Sequence, residues 1–189
     1  MAENNNLKHD FIFKLVVIGD GAVGKSSLIK RYTSGSFNQE YIKTLGAQFS
    51  RYEKILGEKQ DTRARLFFWD IAGQAEFSFM RPTFYNGAKG AVVVFDLSRT
   101  ETLDNVMSWY QDIKKYCGLL PTILFGNKSD LLPNPSAYDK KKVDDIVAKN
   151  NFLGYYTTSA KTGEHVQDSF DAIIEVLVDR ALKVTKKSQ

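Results

Sequence analysis

The sequence predicts an α/β fold in three layers: a mostly parallel six-stranded sheet with one antiparallel edge strand and helices on both faces. Three observations predict it. Apolar runs alternate with stretches of helical spacing, an order that yields right-handed crossovers between parallel strands. Ala91-Val92-Val93-Val94-Phe95 is apolar throughout, as a parallel strand covered on both faces is. Gly19-Asp20-Gly21-Ala22-Val23-Gly24-Lys25-Ser26 matches G-x-x-x-x-G-K-[ST] between an apolar run, Phe11 to Ile18, and a helix-like stretch from Ser26.

Taken in order, Phe13 to Ile18 reads as a buried strand, and the helix after the glycine loop runs to about Thr33, stopping near Gly35. Ser36 to Thr44 is polar and irregular. Gln48 to Leu56 and Ala64 to Ile71 read as strands joined by a turn at Gly57 to Asp61, so they form a hairpin. Ala72 to Pro82 is irregular, with a short helix around Phe77 to Tyr85. After the valine-rich strand, Leu103, Val106, Met107, Tyr110 and Ile113 stripe a helix over 103–116. Pro121 to Phe125 is a further buried strand, and 131–138, with its prolines, is a loop. A charged helix spans 139–150, a short strand 155–158, and a last helix starts near Gly163, with Phe170, Ile173, Ile174 and Leu177 facing the core. One domain is expected over 11–182, between a flexible N-terminus, 1–10, and a short basic tail, 183–189.

Composition narrows the function. At 189 residues, 43% hydrophobic and 25% charged, the chain is long and apolar enough for one proper core. The net charge is +4, but acids and bases are mixed along the chain, which argues against a nucleic-acid surface. One cysteine, Cys117, excludes an internal disulfide framework and fits a cytoplasmic compartment. No run approaches the roughly 18 apolar residues of a membrane span. Lys187-Ser188-Gln189 holds no cysteine, so no prenylation box is expected, and the Asn-rich start is no signal peptide.

Ligands bind such sheets at the carboxyl ends of the strands, where the glycine loop, Asp70, Asp96, Asn127 and Ser159 fall. The N–H groups of Gly21, Ala22, Val23, Gly24, Lys25, Ser26 and Ser27 form a nest for an anion at a helix N-terminus. Lys25 reaches the β- and γ-phosphates, and Ser26 offers a hydroxyl to Mg²⁺. Asp70 at a strand end acts on that ion through a water, and Thr44 is the candidate for the further hydroxyl that an octahedral site needs. Gly73 lets a backbone N–H approach the γ-phosphate, and Gln74 beside it orients an attacking water. In Asn127-Lys128-Ser129-Asp130, the Asp130 carboxylate matches the paired N1–H and N2–H₂ donors of guanine, which adenine lacks. Lys128 lays its stem on the ring, and Asn127 ties this loop to the glycine loop. Ser159-Ala160-Lys161 presents backbone N–H groups to guanine O6.

These pieces, in this order from Phe11 to about Leu182, resemble the Ras superfamily of small GTPases. Trp69-Asp70 before Ala72-Gly73-Gln74, then Phe84-Tyr85-Asn86-Gly87-Ala88, is similar to the Rab-like branch. The resemblance implies that Phe37 stacks on guanine, that Tyr41 folds over the γ-phosphate, and that Thr44 binds both Mg²⁺ and γ-phosphate. Residues 36–47 would then be switch I, and Gly73 and Gln74 part of switch II. It places Gly21 where a larger side chain would crowd Gln74 and a partner's arginine. It assigns Phe49, Trp69 and Phe84 to an effector surface, against core packing as the plainer reading. It implies bound GTP or GDP, an activating protein, an exchange factor and effectors, a monomer, and a role in vesicle or membrane trafficking or signalling. Ile71 stands where Thr is usual, Ala75 where an acid commonly follows Gln74, and the hairpin turn at 57–62 is long. With no C-terminal cysteine, either the chain continues, or it reaches membranes peripherally without prenylation, or not at all.

The expected activity is slow hydrolysis of GTP to GDP and phosphate, with Gln74 and Lys25 as the catalytic pair. Two rivals stand beside it: a guanine-nucleotide-binding scaffold with little hydrolysis, and an ATP-using enzyme with the same phosphate loop.

Overall fold

A computed structural model describes residues 7–37, 44–57, 61–134 and 137–187. Tyr41 and Lys43, the tip of the hairpin turn at 58–60, and the chain ends at 1–6 and 188–189 lie outside the described residues.

A sheet in the order β2-β3-β1-β4-β5-β6 divides the molecule. Its strands are β1 (His9–Ile18), β2 (Ala47–Leu56), β3 (Thr62–Ile71), β4 (Gly90–Asp96), β5 (Thr122–Asn127) and β6 (Tyr155–Thr158). All neighbours pair in parallel except β2 with β3, which form the antiparallel hairpin at one edge. β4 and β5 are buried at every residue, as apolar runs between two layers of helices must be. Register then decides where the chemistry lies. Val17 pairs with Asp70, Ile18 with Val93, Asp96 with Asn127, and Asn127 with Thr158. Gly19, Asp70, Asp96, Asn127 and Ser159 therefore come out on one rim of the sheet.

Strand alternation feeds two cores. Phe13, Leu15 and Val17 of β1 join Leu28, Ile29 and Tyr32 of α1 (Lys25–Ser34) and Phe170, Ile173, Ile174 and Leu177 of α6 (Val166–Lys187) on one face. Phe170 is the hub, with ring centroids 4.7 Å from Tyr32, 5.3 Å from Phe68 and 5.1 Å from Phe125. Val16 and Ile18 face the other way. They pack with Tyr85 of α2 (Arg81–Tyr85), Leu103 of α3 (Thr100–Asp104), Trp109, Tyr110 and Ile113 of α4 (Val106–Cys117), and Val143 and Ile146 of α5 (Lys140–Lys149).

Four boundaries differ from the sequence reading. β1 starts at His9, because Asp10 accepts hydrogen bonds from Arg63 and Arg65 of β3 and extends the pairing. The stretch 75–85 is a 3-10 segment, Ala75–Met80, followed by α2. The helix expected over 103–116 is two pieces, α3 and α4, meeting at Asn105, whose side chain donates to Asp20 Oδ2. The last helix begins at Val166, since Gly163 (φ +92°) and His165 (φ +49°) are left-handed and lie outside any α-helix, and it runs on through 183–187. Among the described residues, no helix is long and apolar enough to cross a membrane.

Candidate functional site

A cavity of about 620 Å³ opens on the rim, within the usual range for a small-molecule site. Its floor is the turn from β1 into α1. Gly24 is left-handed (φ +96°), and a Cβ there would lie 2.2 Å from Asn127 Nδ2, so only glycine permits both the turn and the contact. Gly21, Ala22, Gly24, Lys25, Ser26 and Ser27 line the cavity, whereas Val23 is fully buried beneath it. Lys25 Nζ donates to the carbonyls of Gly19 and Asp20 at 2.8 Å each, which bends its side chain back over the loop. Burial lowers its pKa to about 8, against the pull of Asp70 and Asp20.

Three oxygens from three segments converge beside it. Ser26 Oγ donates to Asp70 Oδ2 and lies 3.2 Å from Thr44 Oγ1, which in turn is 3.5 Å from Asp70 Oδ2. Burial raises the Asp70 pKa, although Ser26, Lys25 and Thr44 pull it down. Its other oxygen, Oδ1, is buried with no hydrogen-bond partner among the described residues. Two hydroxyls and a half-satisfied carboxylate suit a hard, oxygen-seeking cation such as Mg²⁺.

Asn127 joins three loops at the opposite end. Its Nδ2 donates to the Val23 carbonyl at 2.8 Å, and its Oδ1 accepts from Ala160 N–H at 3.1 Å and Thr158 Oγ1 at 3.4 Å. Lys128, left-handed at φ +68°, and Asp130 line the cavity with Ala160 and Lys161. Ser159 is buried and does not line it. Its hydroxyl donates to Asp130 Oδ1 at 2.6 Å, while Lys161 Nζ stands 3.9 Å from Asp130 Oδ2. Here the structure departs from expectation. The N–H groups of Ser159 and Ala160, expected to face a base, are taken by the Glu164 carbonyl and by Asn127 Oδ1. The buried Asn127 oxygen needs a donor, and the Ala160 N–H is nearer to it than the Thr158 hydroxyl.

Phe37 lines the cavity and packs on the first core. Gly73 also lines it, pressed so close that a Cβ would lie 2.3 Å from the Asp20 carbonyl carbon. Gln74 sits opposite Gly21, with its Nε2 3.6 Å from where a Cβ on that glycine would be. The Gln74 carbonyl accepts from Arg81 Nη2 at 3.3 Å, and the Arg81 guanidinium stacks 3.9 Å above Trp109. Away from the cavity, Phe49, Trp69 and Phe84 form a continuous aromatic run, with centroids 5.9 and 5.8 Å apart. Phe49 is 52% exposed, and Trp69 and Phe84 are partly buried against the second core.

Sequence reasoning missed several partners. Gln48 and Ser50 of β2, and Ile29, Lys30 and Thr33 of α1, also line the cavity. Arg31 donates from Nε to the Ala160 carbonyl at 2.8 Å and from Nη2 to that of Lys161, holding the 159–161 turn against α1. Asp20 accepts from Trp109 Nε1 at 2.7 Å. An arginine in the last turn of a helix and an acid inside a glycine loop each look ordinary in one dimension.

The model of the Ras family matches residues 14–179. Ras-related protein Rab-7L1 of Rattus norvegicus is 34% identical over 177 residues, covering 91% of this chain and 85% of its own. Ras-related protein Rab-32 of Homo sapiens is 36% identical over 174 residues, covering 89% and 76%. Ras-related protein Rab-1 of Theileria annulata is 36% identical over 177 residues, covering 92% and 77%. The chain therefore belongs to the Ras family, on its Rab-like side, and is a small GTPase that binds GTP and hydrolyses it.

Proposed function

We propose that the protein is a switch read by effectors, in which the γ-phosphate of GTP sets the shape of the segments carrying Thr44 and Gly73. The observation that carries this is the meeting of Ser26, Thr44 and Asp70 on one wall of the cavity that Lys25, Gly73 and Gln74 also line. Thr44 precedes β2 and Gly73 follows β3, so a ligand touching both holds two separate segments.

The phosphates lie on the glycine-loop N–H groups with Lys25 beside the β- and γ-oxygens. Ser26 and Thr44 would hold Mg²⁺ directly and Asp70 through a water; when bound, the ion neutralises charge on the phosphate oxygens. Gln74 orients the water that attacks the γ-phosphorus in line, and Lys25 steadies the charge passing to the leaving oxygen. Residues 36–47 contain Lys43 but no arginine, so turnover is slow until an activating protein inserts one, a gain of about 10³–10⁵. At the base end, Asp130, held by Ser159, accepts from guanine N1–H and N2–H₂, Lys128 and Phe37 flank the ring, and Tyr41 covers the γ-phosphate. The run Phe49–Trp69–Phe84 is the surface that effectors meet, with the half-exposed Phe49 at its rim. The protein acts as a cytoplasmic monomer, with an exchange factor, an activating protein and effectors in vesicle or membrane trafficking or signalling, and any membrane contact is peripheral.

Single-turnover hydrolysis of bound GTP tests the reading. Gln74→Leu is expected to slow it roughly 10–100-fold. Equal rates would favour the scaffold that binds guanine nucleotide and barely hydrolyses it.

A further inference from the structure

Asp96, the last residue of β4, is an acid with no exposed side-chain surface and no role in the scheme above. Both of its oxygens are occupied. Oδ1 accepts from the Ser98 N–H at 3.0 Å and the Ser98 hydroxyl at 2.7 Å. Oδ2 accepts from Arg99 Nε at 2.9 Å and pairs with Lys128 Nζ at 2.7 Å. The same guanidinium turns its Nη2 to the Gly21 carbonyl at 2.9 Å. The turn carrying it is fixed from within and by β5. Arg99 N–H donates to the Asp96 carbonyl at 3.0 Å, Thr102 Oγ1 donates to the Arg99 carbonyl at 2.7 Å, and Leu97 N–H donates to the Asn127 carbonyl at 2.9 Å.

One planar side chain thus contacts Gly21 directly and is tied to Lys128 through the Asp96 carboxylate they share. Lys128 belongs to the base end, and Gly21 is the phosphate-end residue opposite Gln74. A lysine at position 99 would be a single point donor and could not hold both partners at these angles. We infer that Arg99 is a positioning residue of the nucleotide site: through Asp96 it anchors the Lys128 side chain, and through the Gly21 carbonyl it anchors the phosphate loop, so the two ends of the pocket open together or not at all. The inference rests on the guanine-nucleotide reading of the cavity and adds a control on nucleotide release.

The test is the dissociation rate of fluorescently labelled GDP from the full chain, with Mg²⁺ and with excess chelator. Arg99 is 37% exposed, so Arg99→Gln leaves the core intact. Loss of its charge-assisted bonds is expected to speed release roughly tenfold. Because the bridge contains none of the metal-facing oxygens, the acceleration is expected to be the same in chelator. A general loosening of the metal site would make it vanish there and overturn the inference. Arg99→Lys is expected to release GDP about as fast as Arg99→Gln, and a wild-type rate in that variant would overturn the two-handed bridge. Asp96→Asn combined with Arg99→Gln is expected to be no faster than the faster single variant, since the groups act as one unit. Multiplying effects would show separate roles and overturn it. A wild type that retained no guanine nucleotide would sink the site reading itself; a wild type that retained it, with Arg99→Gln unchanged, would sink only this inference.

Discussion

In the function proposed above, Asp130 carries the choice of base. Its carboxylate is oriented by Ser159 Oγ at 2.6 Å and faces a cavity in which Lys128 supplies a flank. Guanine offers two donors to that acceptor, and a base offering an acceptor at C2 leaves it unmatched. Asp130→Asn is expected to cut GTP affinity by roughly 10²-fold or more and to favour xanthosine triphosphate, checked by competition against labelled GDP. Equal wild-type affinity for ATP and GTP would remove this role from Asp130. Gly73 makes a second claim at this scale. A methyl group there meets the Asp20 carbonyl carbon at 2.3 Å, so Gly73→Ala must push its segment off the phosphate loop. Hydrolysis is expected to fall roughly 10–100-fold while GDP is retained, read by single-turnover assay and a filter-binding titration. Both residues were legible in the sequence, because a short motif carries its own spacing. Arg31 and Arg99 were not: each is a lone arginine that also reaches an acceptor on a loop distant along the chain.

Elements were legible where periodicity or a short motif specified them and illegible where tertiary contacts placed the ends. The all-apolar stretch at 91–95 and the stripe from Val106 to Ile113 depend only on local pattern, and they appear as β4 and α4. The start of β1 at His9 depends on Arg63 and Arg65, fifty-odd positions away, which no window around His9 contains. The interruption at Asn105 likewise follows from a partner on the phosphate loop. Phe170 shows how helices and strands are fastened together. It stands on α6 and meets rings from α1, β3 and β5. Phe170→Ala is expected to lower unfolding free energy by about 3–5 kcal/mol, measured by urea titration of the GDP-bound protein. A loss within error would mean that the first core closes around the gap.

Across the whole molecule, five parallel strands deliver their ends to one rim, and the site is the sum of what they deliver. Asp96 makes that rim sensitive to acid. Burial raises its pKa, but hydrogen bonds from Lys128, Ser98 and Arg99 outweigh burial and hold its carboxyl below the ordinary range. A carboxyl depressed in the folded state stabilises the fold above its unfolded pKa of about 3.9, and that share is lost as pH falls through the folded value. Asp96→Asn is therefore expected to be less stable than wild type near neutral pH, with the gap closing below about pH 4. Denaturant midpoints at the two pH values check it, and a gap independent of pH would remove the carboxylate's charge from the explanation. The central claim is that the outermost phosphate governs two segments at once. The most direct measurement is amide hydrogen exchange at residues 44–46 and 73–80, with GDP and with a non-hydrolysable GTP analogue. Slower exchange in both segments with the triphosphate is the expected result. Identical exchange in the two states, with the nucleotide demonstrably bound, would contradict the account.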